Sequence, residues 1–271
     1  MNATDLIRAG RLTEARTLLI EHVKSSPGDT GNRTLLFQVL VFLGELDKAE
    51  RHLEAIAAQD PGRDAGVRTY RDLISAEKER YEVIRLRKSP SFLPEPPEYF
   101  DAYYTGLQKL EEKDLQEAKA HFDLAEARRP AITGTVNGKR FSGFADLDTF
   151  LSPFLEIIVH ERYVWVPFEF IRELVIPAPR TLFDLIWAQA RITTWEGLTM
   201  NCFLPVLYPD SYQHADDRVK LGRMTDWVSL GGTFARGAGQ HVFLAGDEDV
   251  AILEVREVLF DFDSSAEGQK V

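Results

Sequence analysis

A single cysteine, Cys202, is all this 271-residue chain contains, which excludes an intrachain disulfide and makes a reducing cytoplasm the expected compartment. Nowhere do 18 uncharged apolar residues run together, and the opening MNATDLIRAGRLTEAR has no apolar stretch of signal-peptide length, so no membrane partner is expected. Positive charge is in deficit. Against 43 Asp and Glu stand 32 Lys and Arg, a net charge of -11, which disfavours nucleic acid and anionic membrane surfaces as partners. The six histidines (His22, His52, His121, His160, His214 and His241) show neither HxxxH nor HxH spacing, so neither a metal nor a cofactor is assigned. Neither G-x-S-x-G nor G-x-x-x-x-G-K-[ST] occurs, and no catalytic residue is assigned.

What is present is a repeat. Gly10, Leu12, Ala15, Leu19 and Pro27 recur 34 positions later as Gly44, Leu46, Ala49, Leu53 and Pro61. That is the period of the tetratricopeptide repeat, a helix-turn-helix unit in which Ala lets two helices approach and Pro ends the second. From Thr4 to Pro130 the apolar residues keep helical spacing, so residues 1–130 read as a helical repeat domain. Thr13 and Asp47 stand where N-caps are wanted. Pro27-Gly28-Asp29 and Pro61-Gly62-Arg63 supply the breaks. Leu115, Ala118, Phe122 and Pro130 repeat the spacing once more. In between, Asp64 to Lys88 is charged and unbroken, one long helix. Ser89 to Pro97, with four prolines, is an extended connection or a flexible spacer before a helix that starts near Glu98.

Beyond residue 130 lie all four tryptophans and twelve of the seventeen phenylalanines, in β-branched and aromatic runs set off by turn residues. Asn137-Gly138 suits a tight hairpin. Phe144 to Phe150 reads as a short helix, Leu155 to Val166 as a buried strand, Phe168 to Ile176 as an extended run, and Thr181 to Trp187 as a short amphipathic helix that drops Phe183 and Ile186 or Trp187 onto the sheet. Ala190 to Thr194 and Cys202 to Leu207 are strands around a Glu196-Gly197 turn, and Val242 to Ala245 with Val250 to Asp261 close the domain. The expected architecture is α plus α+β: tetratricopeptide-like helical repeats, then, over residues 131–271, a mainly antiparallel, barrel-like β domain with small helices and its own core.

Two functional readings follow. In the first, Thr34, Gln38 and Val41 on one repeat helix and Phe100, Tyr103 and Leu107 on its equivalent face a concave groove that receives a peptide or an amphipathic helix. Phe100 and Leu107 also fit plain packing against Asp64 to Lys88 or against the β domain. In the second, a small-molecule or metal-dependent enzyme uses the Gly231 to Gly239 loop, beside Arg236, with His214, Asp216 and Asp217. The bland forms of these features are a glycine-rich β turn and a polar loop, and Asp247-Glu248-Asp249 reads as a solvated turn.

Six segments carry a further likeness: Leu6-Ile-Arg-Ala-Gly-Arg-Leu-Thr-Glu-Ala15, Val166-Pro-Phe-Glu-Phe-Ile-Arg172, Leu182-Phe-Asp-Leu-Ile-Trp187 with Ala190-Arg191, Phe203-Leu-Pro-Val-Leu-Tyr-Pro209, Leu221-Gly-Arg-Met-Thr-Asp-Trp227 and Gly239-Gln-His-Val-Phe-Leu-Ala-Gly-Asp-Glu248. In order and spacing they resemble the ImpE family, also called TagJ or SciE-type proteins, accessory components of bacterial type VI secretion systems. The resemblance implies a cytoplasmic, non-enzymatic adaptor with a repeat domain and an α+β domain. It implies as partners the N-terminal helix of the small contractile-sheath subunit and the AAA+ ATPase that dismantles contracted sheath. It brings no catalytic motif.

Overall fold

A computed structural model describes residues 1–59, 62 and 64–261. Among the described residues the α-helices of the first half are α1 (Ala3–Arg8), α2 (Leu12–Ser25), α3 (Thr30–Phe42), α4 (Leu46–Gln59), α5 (Asp64–Ile84), α6 (Phe100–Glu111) and α7 (Leu115–Glu126), with one short strand between α5 and α6. The repeat signature explains the pairing of α1 to α4. Ala15 and Ala49 are fully enclosed, as close helix approach demands. Gly10 and Gly44 take φ of 72° and 67°, left-handed values that let each first helix end and the next begin. Pro61 lies outside the described residues. Gly106 plays a packing part in the last hairpin, since a Cβ there would meet the Phe122 ring at 2.9 Å.

The helix starts differ from expectation. Thr13 does not cap α2; the Leu12 N–H instead donates at 2.7 Å to Asp217, 205 positions away. Asp47 falls in the first turn of α4 and pairs with Lys78 of α5 at 2.8 Å. Gly44 also faces the Tyr212 ring, where an added Cβ would sit 2.5 Å from the nearest ring atom. Gly44→Ala is therefore expected to cost about 1–3 kcal/mol, read as a lowered urea midpoint. Gly28→Ala, which meets nothing within 4 Å, serves as the control.

The strands are β1 (Ser91–Phe92), β2 (Thr133–Val136), β3 (Lys139–Ser142), β4 (Phe144–Asp146), β5 (Phe154–Val159), β6 (Arg162–Pro167), β7 (Ile171–Val175), β8 (Trp187–Thr194), β9 (Thr199–Pro205), β10 (Thr225–Gly231), β11 (Phe234–Gly239), β12 (Val242–Ala245), β13 (Glu248–Ala251) and β14 (Glu257–Phe260), with the short helix α8 (Asp217–Lys220) before β10. Nine form one sheet in the order β1-β6-β5-β9-β8-β7-β14-β2-β3; β13-β12-β4 and β10-β11 form two smaller ones. The large sheet is antiparallel except for β1 beside β6. Its two ends are β1 and β3, so it is an open sheet rather than the barrel-like one expected.

Asn137 and Gly138, at φ of 50° and 83°, make the hairpin expected of them. Four other segments fold otherwise. Phe144 to Phe150 is not helical: β4 pairs with β12, and the Asp146 and Asp148 carboxylates take the N–H groups of Asp148 and Phe150, each at 2.8 Å, so the backbone turns on side-chain acceptors. Leu155 to Val166 is a hairpin of two strands, with His160 at φ 53° in its turn. Phe168 to Ile176 opens with a 3-10 turn before β7. Thr181 to Trp187 holds a single 3-10 turn at Phe183–Leu185, Trp187 already begins β8, and Phe183 stacks on Tyr70 of α5 at 3.9 Å instead of lying on the sheet. The proline-rich Ser89 to Pro97 is extended and is held to the sheet through β1, with the Phe92 ring 4.6 Å from that of Phe100 and 5.6 Å from that of Phe154.

Alternation along β5 sends Phe154, Glu156 and Ile158 to one face of the large sheet and Leu155 and Ile157 to the other. The first face shares an apolar core with the helices, including Leu12, Phe37, Leu107, Phe154, Trp165 and Trp187. The second face has its own, including Leu155, Val166, Ile192, Leu204 and Val258. One core thus runs across residue 130, where helices give way to strands. No helix among the described residues is long and apolar enough to cross a membrane.

Candidate functional site

On α5 the buried residues Leu73, Ala76, Val83 and Ile84 trace the face turned to the sheet, and Glu77 and Arg80 fall on that same face. The helix thereby drives two charges into the interior. Arg80 is 2% exposed and Glu156 of β5 is 4% exposed. The Arg80 guanidinium donates to both Glu156 oxygens, Nε at 2.8 Å and Nη2 at 2.7 Å; Nη1 donates to Glu77 at 2.8 Å and Nη2 also to the Leu207 carbonyl at 2.9 Å. His241, 3% exposed, bridges Asp146 (Nδ1, 2.7 Å) and Glu156 (Nε2, 3.1 Å). Tyr208 donates to Asp146 at 2.7 Å, Tyr163 donates to Glu156, and Trp165 Nε1 donates to the Tyr163 hydroxyl at 2.6 Å. Asp148, fully buried, accepts from Arg236 Nε at 2.9 Å and from the Gly237 N–H at 2.8 Å.

Charge settles the protonation states. Burial alone would push the Glu156 carboxyl up, but Arg80 and His241 hold it well below its ordinary value. Burial alone would lower His241, yet Asp146 and Glu156 raise it to about 9, so the ring is an imidazolium at neutral pH. The acids and bases answer one another, and the adjoining cavity, lined in part by Val41, Trp187 and Tyr208, is about 30 Å³, room for about one water. The arrangement is a charge-compensated clasp that fastens α5 to the sheet.

The residues of the enzyme reading are placed on other tasks. His214 Nε2 lies 3.2 Å from Asp226 of β10, beside the glycine-rich hairpin. Asp216 caps α8 and binds Arg218 at 2.6 Å, while Asp217 caps α2 and pairs with Lys220 at 2.9 Å. Within the Gly231 to Gly239 hairpin, a Cβ on Gly237 would stand 2.2 Å from the Tyr208 ring and one on Gly239 2.0 Å from the Met224 carbonyl oxygen. These glycines admit close packing, and Arg236 is taken by Asp148. Among the described residues no three His, Cys, Asp or Glu side chains are grouped to hold a metal. Burial pushes the Cys202 thiol up to about 12, far from a nucleophile's range. Asp247 to Asp249 sit at the β12–β13 turn, with Glu248 paired to Lys139.

Of the six groove residues, Gln38, Val41, Tyr103 and Leu107 are enclosed, and Thr34 and Phe100 keep partial exposure. The Tyr103 hydroxyl donates to the Thr149 carbonyl, and its ring packs on Phe122 and Phe154. Val41 borders a small space shared with Glu77 and Arg80 of α5 and Trp187 of β8, and Tyr103 meets the sheet domain at Phe154 and Thr149. A surface the residue pattern did not single out is β10, where Met224 just before the strand and Trp227 and Val228 within it stand 44%, 38% and 56% exposed. The local signal was there in Met-Thr-Asp-Trp-Val, a strand without alternation to bury either face.

The ImpE protein family matches residues 138–259, and a tetratricopeptide repeat family matches residues 6–69. The type VI secretion system accessory component TagJ of Pseudomonas aeruginosa is 34% identical over 261 residues, 96% of this chain and 92% of that protein. A crystal structure of a Vibrio parahaemolyticus protein, 21% identical, superposes with a TM-score of 0.87 over 97% of this chain and 99% of its own, a likeness of fold. Glu156, His241 and Asp146 fall inside the ImpE match, whereas Arg80 and Glu77 fall between the two matched segments.

Proposed function

Since this chain belongs to the ImpE family of type VI secretion accessory proteins, we propose that it is a non-enzymatic adaptor of such a system. In this reading it works in the cytoplasm, binds the N-terminal helix of the small contractile-sheath subunit, and assists the link to the sheath-disassembly AAA+ ATPase. The observation that carries the reading is the likeness to TagJ along nearly the whole chain. Two features of the molecule support it. The buried acids and bases serve to join the helices to the sheet, and Trp227, 38% exposed on β10, offers the kind of apolar anchor on which an amphipathic helix rests its apolar face. Thr34 and Phe100 remain as a second, smaller point of contact. A weak single contact suffices, because a sheath presents many copies of the helix at once.

Calorimetric titration with a synthetic sheath N-terminal helix tests this. Binding is expected, with Trp227→Ala weakening it by about tenfold or more, as loss of an aromatic anchor does. Absence of heat at high micromolar peptide removes the sheath-helix form of the proposal; binding that survives Trp227→Ala moves the site towards Thr34 and Phe100.

A further inference from the structure

The helical layer leaves part of the large sheet open. Along β8 the side chains of Trp187, Gln189 and Arg191 share one face. Trp187 is 2% exposed and reaches Glu77 of α5, whereas Gln189 and Arg191 are exposed. Cross-strand pairing continues that face, with Arg191 between Val175 of β7 and Asn201 of β9 and Gln189 beside Phe203. Two clefts border this open stretch. One, about 490 Å³, is lined in part by Val175, Pro177, Gln189, Arg191 and Phe203; the other, about 450 Å³, in part by Tyr70 of α5, Pro177, Pro179, Arg180, Gln189 and Arg256. Pro177 and Gln189 belong to both, so the two make one groove.

In a chain of net charge -11 this groove is basic, with three arginines and one carboxylate, Asp184, among its lining residues. That carboxylate is turned to the backbone, where it accepts from the N–H groups of Arg180 and Thr181, each at 2.8 Å. The arginines have no close carboxylate of their own. The Arg180 side chain is exposed and makes no hydrogen bond or ion pair among the described residues. Arg256 donates to the carbonyls of Val255 at 2.6 Å and Leu253 at 2.8 Å, and Arg191 stands 3.8 Å from Glu173, beyond hydrogen-bond distance. The Tyr70 ring is fixed by stacking on Phe183, and burial with the nearby Asp184 pushes its hydroxyl up, so it stays a donor.

We propose that this groove binds a short acidic peptide segment of a protein partner, its carboxylates meeting Arg180, Arg191 and Arg256 and its apolar side chains resting on Pro177, Pro179 and Phe203. The planar fork of arginine suits a carboxylate, to which it donates two parallel hydrogen bonds. Because the three arginines are spread over both clefts, the occupant must carry several carboxylates along its length. The chain's overall negative charge opposes a nucleic acid, and the proline and phenylalanine surface between the charges gives apolar side chains a place to rest. The groove shares no residue with the Trp227 surface, so it stands apart from the sheath-helix reading.

Fluorescence anisotropy with the full chain and a labelled octapeptide of alternating glutamate and leucine tests this, beside the glutamine twin of that peptide and a labelled oligothymidylate. Saturable binding is expected of the acidic peptide alone, weakening as sodium chloride is raised. Arg180→Glu and Arg191→Glu, both at exposed positions, are each expected to weaken it about tenfold or more, with the urea midpoint left in place. Lys113→Glu, an equal change of net charge at an exposed position in the α6–α7 turn, is expected to bind as the parent does. The proposal is wrong if the acidic peptide does not saturate by about 1 mM, if its glutamine twin binds as well, or if the oligothymidylate binds and the peptide does not. It is equally wrong if Lys113→Glu weakens binding as much as the arginine variants, or if those variants bind as the parent does.

Discussion

Arg80→Ala is expected to lower the free energy of unfolding by about 3–5 kcal/mol, the range for removing one partner of a buried ion pair. The loss comes less from the attraction removed than from what is stranded. Glu156 and Glu77 would be left in the interior without the guanidinium that now donates to both. Solvent cannot reach them, since Glu156 is 4% exposed and the neighbouring cavity is about 30 Å³. Against a total stability of about 5–15 kcal/mol for a typical domain, the loss is large. It falls on the joint between α5 and β5, so the helices should loosen from the sheet as the chain unfolds. Urea unfolding, followed through Trp165 and Trp187, whose indole N–H groups both reach into this network, measures it. The double variant Arg80→Met/Glu156→Gln should recover part of the loss, because it removes the stranded charge as well. An unchanged midpoint for Arg80→Ala would mean that the clasp contributes nothing net.

That joint was readable in the sequence only in part, and the reason is distance along the chain. The repeats and the Asn137-Gly138 hairpin depend on residues within one unit of structure, so spacing reveals them. Arg80 and Glu156 are 76 positions apart, and His241 and Asp146 are 95; no local pattern joins them. Arg80 and Glu77 sit in a charged, unbroken segment that reads as one long helix. The overlooked signal was phase, since Leu73, Ala76, Glu77, Arg80 and Val83 recur every three or four residues on one face. The β5–β6 turn was hidden because His160 takes a left-handed φ that sequence reading assigns to Gly or Asn. The groove residues Gln38, Val41, Tyr103 and Leu107 lie on α3 and α6 as aligned, yet repeat alignment says nothing of what covers a helix face, and here Val41 borders α5 and Tyr103 meets the sheet domain. Family likeness was legible because it draws on many short strings in order, which requires no knowledge of contacts.

The second large effect is one of pH, and it rests on His241. Its folded value of about 9 lies above the ordinary 6.5 because Asp146 and Glu156 flank the ring on both nitrogens and outweigh the burial that opposes its charge. A group whose value rises on folding binds its proton more tightly in the native state. Below about pH 6.5 both states are protonated and the full stabilisation is present; between there and about 9 only the folded chain keeps the proton, so stability falls as pH rises. The fall should reach about 3 kcal/mol across that window. Unfolding curves at stepped pH measure it directly. In His241→Gln the amide can still bond to one carboxylate but carries no proton to lose, so the slope in this window should flatten while overall stability drops. Glu156 titrates elsewhere: its lowered value stabilises the fold above the ordinary carboxylate range and is lost only as pH falls through the folded value. A slope in alkaline solution that persists in His241→Gln would assign the proton to another group and leave His241 as an uncharged hydrogen-bonding bridge.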